Sequence, residues 1–315
     1  MSGKRLYLLA TALLFCIILS GCGREGDAMK KMNMLAAQQD WDALATISRR
    51  DYASNVFAAN YYHLAQVYRG RLCEDLFKMV QHGPQGIIYM PSDHSAADPC
   101  LAHVLFAMGN MAAAQNVAFN SMFSPEGYDY AMMKIVAQVD LMRGCDEVAS
   151  KYIDVLSAQK EYKVWAENAY ADPNIERGRR DFPDEEAFVL DSPMEDILRI
   201  LDSNPSDTLA MQYGLSFLLL AKDLAGIHRF VDKYYGSEGL RILPTPAQEA
   251  LLFYSDYLQN VEGDDSVGRD YCLSHGVTES TIRRFEKFQN ESLSGDGAPS
   301  SFRSTFWHYL LYEQI

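Results

Sequence analysis

A repeat with an offset of 35 residues constrains the fold of this chain more than any other feature of its sequence. Small residues in one segment return at the same offset in the next. They are Ala102, Gly109 and Ala114, followed by Ala137, Gly144 and Ala149. Small side chains let two antiparallel helices approach closely, and glycine permits the left-handed backbone that ends one helix before the next. The spacing therefore predicts stacked pairs of antiparallel helices.

This pattern resembles the tetratricopeptide repeat, whose period is about 34 residues. The resemblance implies an all-α, tetratricopeptide-like α-solenoid of antiparallel helix pairs. Degenerate copies of the turn between helices are predicted at Gln39-Asp40-Trp41 and Lys222-Asp223-Leu224. A stack of generic helical hairpins is the alternative, and it predicts the same architecture. Units are expected near residues 27–50, 56–81, 96–125, 128–158, 207–236 and 246–275.

The N-terminal segment has the features of a secretory leader. Lys4-Arg5 precedes an apolar run over residues 6–20, which is short for a transmembrane helix because a bilayer needs roughly 20 apolar residues. The tetrapeptide Leu19-Ser20-Gly21-Cys22 resembles the lipobox of bacterial lipoproteins. That resemblance implies cleavage before Cys22 and lipidation of its thiol, which would anchor the protein to a membrane.

The residue after Cys22 bears on which of the two membranes a Gram-negative lipoprotein is sorted to. In Gram-negative lipoproteins an aspartate there favours retention in the inner membrane, whereas this chain has Gly23. The resemblance therefore favours the outer membrane, with the periplasmic and surface faces both open. The predicted organisation is a signal peptide (1–21), a lipidated tether (22–26), a helical-repeat half (27–170), a charged, proline-containing linker (171–193) and a second helical-repeat half (194–315) with an aromatic tail.

Charge and motifs narrow the functional classes. The chain carries 28 Lys and Arg against 42 Asp and Glu, and this acidic excess argues against nucleic-acid binding. We find no catalytic signature and expect neither enzyme activity nor a cofactor. A metal site at His82, His94, Cys100 and His103 is conceivable, but the spacing fits no zinc pattern.

The remaining cysteines are Cys73, Cys100, Cys145 and Cys272. An even number permits disulfides in an oxidising compartment, but the chain is large enough for a core of its own. We therefore expect buried thiols. The aromatic tail, residues 302–312, is expected to dock against the last helices as a cap. Its alternative is an exposed platform on which a glycan could stack.

Four segments resemble the soluble helical domain of an uncharacterised Gram-negative envelope family, in which a repeat domain follows membrane spans. They are Asn60-Tyr61-Tyr62-His63-Leu64-Ala65, His82-Gly83-Pro84-Gln85-Gly86, Gly276-Val277-Thr278 and Ser304-Thr305-Phe306-Trp307. The resemblance brings no activity with it. Our leading hypothesis is a lipid-anchored adaptor or assembly subunit that binds an envelope protein or peptide on its concave face. A glycan-binding accessory lipoprotein of a nutrient-uptake system is the alternative.

Overall fold

The computed structural model describes residues 26–90, 99–124, 127–172, 175, 192–294 and 299–314. The predicted signal peptide, Cys22 and most of the predicted linker lie outside this part of the chain. Within it, sixteen α-helices and one short hairpin are present, which confirms the all-α class. None of the helices that the structure describes is both long and apolar enough to span a bilayer.

The helices follow one another with short connections. Helix α1 is described over residues 26–38. The N-terminal helices are α2 (Trp41–Asp51), α3 (Val56–Tyr68), α4 (Leu72–Asp75), α5 (Pro99–Met108), α6 (Met111–Ser121), α7 (Tyr130–Met142), α8 (Asp146–Ser157) and α9 (Lys163–Asn168). The later helices are α10 (Pro193–Ser203), α11 (Thr208–Leu220), α12 (Leu224–Tyr234), α13 (Thr245–Tyr257), α14 (Arg269–Ser274), α15 (Glu279–Ser294) and α16 (Phe306–Tyr312).

The same turn joins the two helices of six pairs. A residue with positive φ ends the first helix, and its N–H bonds to the carbonyl three residues earlier, while the next N–H bonds to the carbonyl five residues earlier. This is the Schellman motif, which reverses the chain while using the last carbonyls of the helix. The positive-φ residues are Gln39 (60°), Gly70 (66°), Gly109 (87°), Gly144 (74°), Lys222 (57°) and Gly276 (83°).

In five of these pairs the residue after the positive-φ residue is the N-cap of the second helix. At three turns the side chain of this residue accepts a hydrogen bond from a backbone N–H of the first turn of that helix. These caps are Asp40, Asn110 and Asp223. Such a cap satisfies an N–H that has no partner within the helix. The turns predicted at Gln39 and Lys222 are thus present.

The C-terminal helices fold back onto the N-terminal ones. Helix α11 packs against α3, α4 and α5, and α13 packs against α4. In an idealised repeat array each unit contacts only its neighbours in sequence. Here the pair α11 and α12 meets the second and third pairs of the chain, so the stacking departs from sequence order. One contiguous hydrophobic core includes residues from both parts.

Strand placement differs from the sequence-based prediction. The sequence offers one modest strand candidate, the short apolar segment Gly86-Ile87-Ile88-Tyr89-Met90, but Gly83–Gly86 forms a 3₁₀ turn at its start and no strand follows among its residues. The reason is that the Asn60 Nδ2 donates to the carbonyl of Gln85 and the His63 Nδ1 donates to that of Gly86, so these carbonyls are not available to a neighbouring strand. The strands that the structure does describe form a hairpin, Phe123–Ser124 (β1) with Gly127–Tyr128 (β2).

The C-terminal tail packs onto the helices that precede it. In α16, Phe306 and Trp307 have no exposed surface and Tyr309 is 2% exposed. Helix α16 contacts α13, and the rings of Phe306 and Tyr309 pack against Phe77 at centroid distances of 5.7 and 4.9 Å. The tail thus covers apolar surface, as expected of a cap. The Gly, Ser and Pro content of residues 290–301 predicts a loop from Asn290 onward, but helix α15 extends to Ser294.

Candidate functional site

The residues that the repeat predicted to pack between helices lie in two adjacent helix pairs. Ala102 and Ala114 are fully buried in α5 and α6, and Ala137 and Ala149 are fully buried in α7 and α8. Gly109 and Gly144 occupy the turns between the helices of each pair. These six residues build the scaffold, whereas Cys22, the predicted lipidation site, lies outside the described residues.

Two of the three histidines considered for a metal site, His82 and His103, bond within the protein. His82 donates from Nε2 to the carbonyl of Tyr52 at 2.7 Å, and the His103 Nε2 lies 2.9 Å from the Asn33 side-chain oxygen. His94 is outside the described part of the chain. Among the residues that are described, no group of three or more His, Cys, Asp and Glu could hold a metal ion.

The cysteines are thiols, and no disulfide joins the four that the structure describes. Cys73, Cys100 and Cys272 are buried, as expected. Cys145 is exposed because it sits at the turn between α7 and α8, so the expectation of burial was wrong there. Burial raises the pKa of Cys73 to about 12, and its Sγ lies 3.1 Å from the Ser216 hydroxyl. A thiol in this state is a poor nucleophile.

A buried polar network connects α1, α5 and the start of α7. His103 bonds to Asn33, whose amide donates to Asp129 at 2.7 Å, and Asp129 caps α7. Burial lowers the pKa of His103 to about 3, so the ring is neutral. Nearby, the Lys134 ammonium donates to the carbonyl of Ala37 at 2.6 Å. The groups named in this network bond to other groups of the protein, and the network fixes how α1, α5 and α7 pack.

The four segments on which the predicted family resemblance rests meet in two places. Asn60 and His63 of the first segment bond to the carbonyls of Gln85 and Gly86 in the second. Burial lowers the pKa of His63 to about 4, so its neutral ring donates from Nδ1 and accepts from the Tyr52 hydroxyl at Nε2. This set of bonds holds the 82–86 loop against α3.

The third and fourth segments meet on α13. Gln248 accepts at Oε1 from the Thr278 N–H at 3.1 Å, while the neighbouring Glu249 accepts from the Phe306 N–H at 2.7 Å. Trp307 donates from Nε1 to the backbone carbonyl of Glu249 at 2.7 Å. Two adjacent residues of α13 therefore fasten both segments. These contacts are buried or partly buried, and they hold the chain together rather than presenting chemistry to a ligand.

An open cleft lies where α11 meets the turn between α3 and α4. Gln212 fixes this contact, because its amide donates to the carbonyl of Val67 at 3.1 Å and its oxygen accepts from the Leu72 N–H at 3.3 Å. The segment 239–244 also lines the cleft. There the Gly239 N–H bonds to the Pro205 carbonyl, and a side chain at Gly239 would approach that oxygen to 2.7 Å.

The cleft has a volume of about 390 Å3. That volume lies within the range of small-ligand sites, roughly 300–1,000 Å3. Polar groups at its edge include Thr208, Gln212 and the exposed Glu74, which also accepts from the Thr245 N–H at 2.9 Å. Apolar side chains line most of it, namely Val67, Leu209, Met211, Leu215, Leu240 and Ile242.

Ile242 is the most unusual residue of the cleft. Its side chain is 82% exposed. An exposed aliphatic side chain at the edge of an apolar cleft marks a surface that a partner could cover. Sequence reasoning missed both Ile242 and Gln212. The sequence signal for Gln212 was a lone amide in the apolar run of α11. Its hydrogen-bond partner, the Leu72 N–H, lies 140 residues away in sequence, so the pairing could not be read from the sequence.

Comparisons with known proteins give a family and no function. The model of a family of unknown function, DUF6057, matches residues 3–313. No curated protein matches this chain, and no solved structure does either.

Proposed function

The chain belongs to the DUF6057 family, and we propose that it is a lipid-anchored envelope protein that serves as a protein-binding adaptor or assembly subunit. In this proposal Cys22 carries the lipid and the helical scaffold presents a binding surface away from the membrane. The outer membrane is the favoured location. The observation that carries the binding role is the apolar cleft between α11, the turn after α3 and residues 239–244.

The shape and composition of the cleft support a protein partner. Its apolar lining and the exposed Ile242 at its edge suit one or two apolar side chains of an extended segment. Such a surface gains free energy when it leaves water, at about 25 cal/mol per Å2 of apolar area. Buried apolar anchors of this kind provide most of the energy of peptide recognition.

Charge defines the partner further. The protein has a formal net charge of −14, and Glu74 lies at the edge of the cleft. An acidic surface attracts a basic partner and raises the rate of encounter. We therefore propose that the cleft binds an extended segment of an envelope protein in which apolar residues are flanked by lysine or arginine.

The experiment is affinity capture of the full-length lipoprotein from envelopes solubilised in mild detergent. A Cys22→Ser variant, which cannot be lipidated, is the control for the anchor. The proposal predicts a stoichiometric partner that mass spectrometry identifies with the wild-type chain and that is lost or strongly reduced with the variant. Capture of intact neighbouring complexes, but of no partner with this chain, would contradict the adaptor role.

The glycan-binding alternative depends on a different surface. Phe306 and Trp307 are fully buried and offer no ring face to a sugar. A half-buried group of rings lies instead on the C-terminal helices, where Tyr271 stacks on His275 at a centroid distance of 3.9 Å and His228 lies 5.1 Å from Tyr271. Binding of an oligosaccharide that Tyr271→Ala abolishes would favour the alternative over the adaptor.

A further inference from the structure

An exposed aromatic group lies beside the hairpin. Phe123 and Tyr128 are paired across β1 and β2, with their ring centroids 5.7 Å apart, and Phe119 of α6 lies 5.8 Å from Phe123. Their exposed fractions are 46% for Phe119, 56% for Phe123 and 57% for Tyr128. We call these residues the aromatic hairpin. Three adjacent rings that are each about half exposed form an unusual surface for a monomeric protein in water.

The hairpin lies at the same end of the molecule as the start of α1. Two contacts show that α1 and α7 run in parallel. Asn33 bonds to Asp129 at the N-terminus of α7, and Ala37, farther along α1, accepts from Lys134, farther along α7. The N-terminal ends of both helices therefore point the same way, and the hairpin ends at Tyr128, directly before Asp129.

The predicted anchor is close to this end. Residue 26, where the description of α1 begins, precedes Asn33 by about 10 Å of helix. Cys22 is four residues earlier, and four residues span at most about 14 Å. A lipid on Cys22 thus holds this end of the domain, including the aromatic hairpin, close to the bilayer.

Charges at this end suit a phospholipid surface. Basic side chains come from the early part of α1 and from the last turn of α2, which returns antiparallel to α1 after the turn at Gln39. These four basic residues outnumber the acidic residues of the same two segments, although the whole chain is acidic. The basic residues are Lys30, Lys31, Arg49 and Arg50, and the acidic ones are Asp27 and Asp51.

We propose that the aromatic hairpin is a second membrane contact that inserts into the interface of the bilayer beside the lipid anchor. Aromatic rings favour the headgroup region, where one side of the ring is apolar and the other is hydrated. The several acyl chains of a lipidated cysteine already hold the chain on the bilayer, and a second contact fixes the orientation of the domain there. This inference rests on the proposed lipidation of Cys22.

Tryptophan fluorescence of the full-length lipidated chain tests the proposal. Phe123→Trp and Val148→Trp are compared in vesicles of phosphatidylethanolamine and phosphatidylglycerol, with and without bromine on the acyl chains. Val148 is a matched control because it is 43% exposed and lies in the first turn of α8, at the far end of α7. The 13 residues of α7 separate the two sites by about 20 Å along the helix axis. The three native tryptophans contribute equally to both variants.

The proposal predicts that Phe123→Trp adds emission at shorter wavelength that brominated lipid quenches, and that Val148→Trp adds none. Equal quenching in the two variants would overturn it. A shift to shorter wavelength without quenching would also overturn it, and would assign the hairpin to a protein contact. Flotation of the vesicles separates the two proposals. A chain that does not float contradicts the lipid anchor and this inference together, whereas a chain that floats without added quenching contradicts this inference alone.

Discussion

The buried carboxylate of Glu249 accepts a hydrogen bond from the backbone N–H of Phe306, at 2.7 Å. Glu249 is 2% exposed, and its other oxygen lies 3.4 Å from the Arg284 guanidinium. This contact joins α13 to the first residue of α16. Burial is the largest influence on the carboxyl and raises its pKa to about 7, although the Phe306 N–H and Arg284 both favour the charged form.

The raised pKa of Glu249 predicts a pH dependence of stability. Between about pH 4.5 and 7 the folded chain holds a proton on Glu249 that the unfolded chain has released, so the free energy of unfolding falls as pH rises through this window. Glu249→Gln keeps an oxygen for the Phe306 N–H and removes the titration. We expect the variant to gain stability relative to wild type from pH 5 to pH 7.5, as measured by denaturant unfolding.

The difference in unfolding free energy between wild type and Glu249→Gln isolates the titration of Glu249. His63 and His103 titrate with the opposite sign, because burial lowers the pKa of each and their contribution is lost as pH falls. Both histidines are present in wild type and variant, so their effects cancel in the comparison. Parallel pH profiles for the two proteins would show that Glu249 does not titrate as its burial requires.

The repeated left-handed turns predict two substitutions that change the free energy of unfolding in opposite directions. Gly144 has a φ of 74° and no neighbour within 4 Å of an added Cβ, so Gly144→Ala should lower the free energy of unfolding by about 1 kcal/mol through the backbone alone. Gln39 has a φ of 60° without being glycine. Gln39→Gly should therefore raise the free energy of unfolding, by up to about 1 kcal/mol.

Gly109 tests the packing around the same turn. A Cβ at Gly109 would lie 3.3 Å from the Ile200 Cγ2 and 3.4 Å from a carboxylate oxygen of Asp207, so Gly109→Ala should cost more than Gly144→Ala. Thermal unfolding of the three variants measures the order. A change of the same sign for Gly144→Ala and Gln39→Gly would contradict the shared left-handed turn.

Local signals predicted the helix pairs better than their arrangement. The turns at Gln39 and Lys222 were predictable without glycine, because an aspartate that caps the next helix follows each of them. The contact of Gln212 with Val67 was not, because periodicity describes one helix at a time and does not record a partner 145 residues away. The cleft that this contact creates was therefore invisible in the sequence.

The strand candidate Gly86–Met90 failed for a related reason. The segment is apolar, but the His63 Nδ1 donates to the carbonyl of Gly86, which ends a 3₁₀ turn. The tail, by contrast, was predictable, since a run as apolar as Phe306-Trp307 is rarely left in water. That Glu249 holds it could not be foreseen, because a glutamate in α13 looks like any solvated charge until its neighbours are known.

Counting thiols tests the predicted processing of the N-terminus. The full sequence has six cysteines, of which Cys16 lies in the predicted leader and Cys22 would carry the lipid. The mature chain should therefore show four reactive thiols when denatured. In the native state Cys145 alone should react rapidly, because Cys73, Cys100 and Cys272 are buried. Six thiols in the denatured protein from envelopes would contradict both cleavage and lipidation.

Quantitative capture with paired variants tests the binding role of the cleft most directly. Ile242→Lys removes an apolar side chain and places a positive charge at the edge of the cleft, where it repels the basic residues of the proposed partner, whereas Val261→Lys makes the same kind of change at a valine that is 67% exposed and outside the cleft lining. Both are compared with wild type in the lipidated chain, from the same solubilised envelopes. The account predicts that Ile242→Lys weakens retention of the partner about tenfold, a change of about 1.4 kcal/mol, while Val261→Lys retains it as wild type does. Equal retention by the two variants would contradict the assignment of partner binding to this cleft.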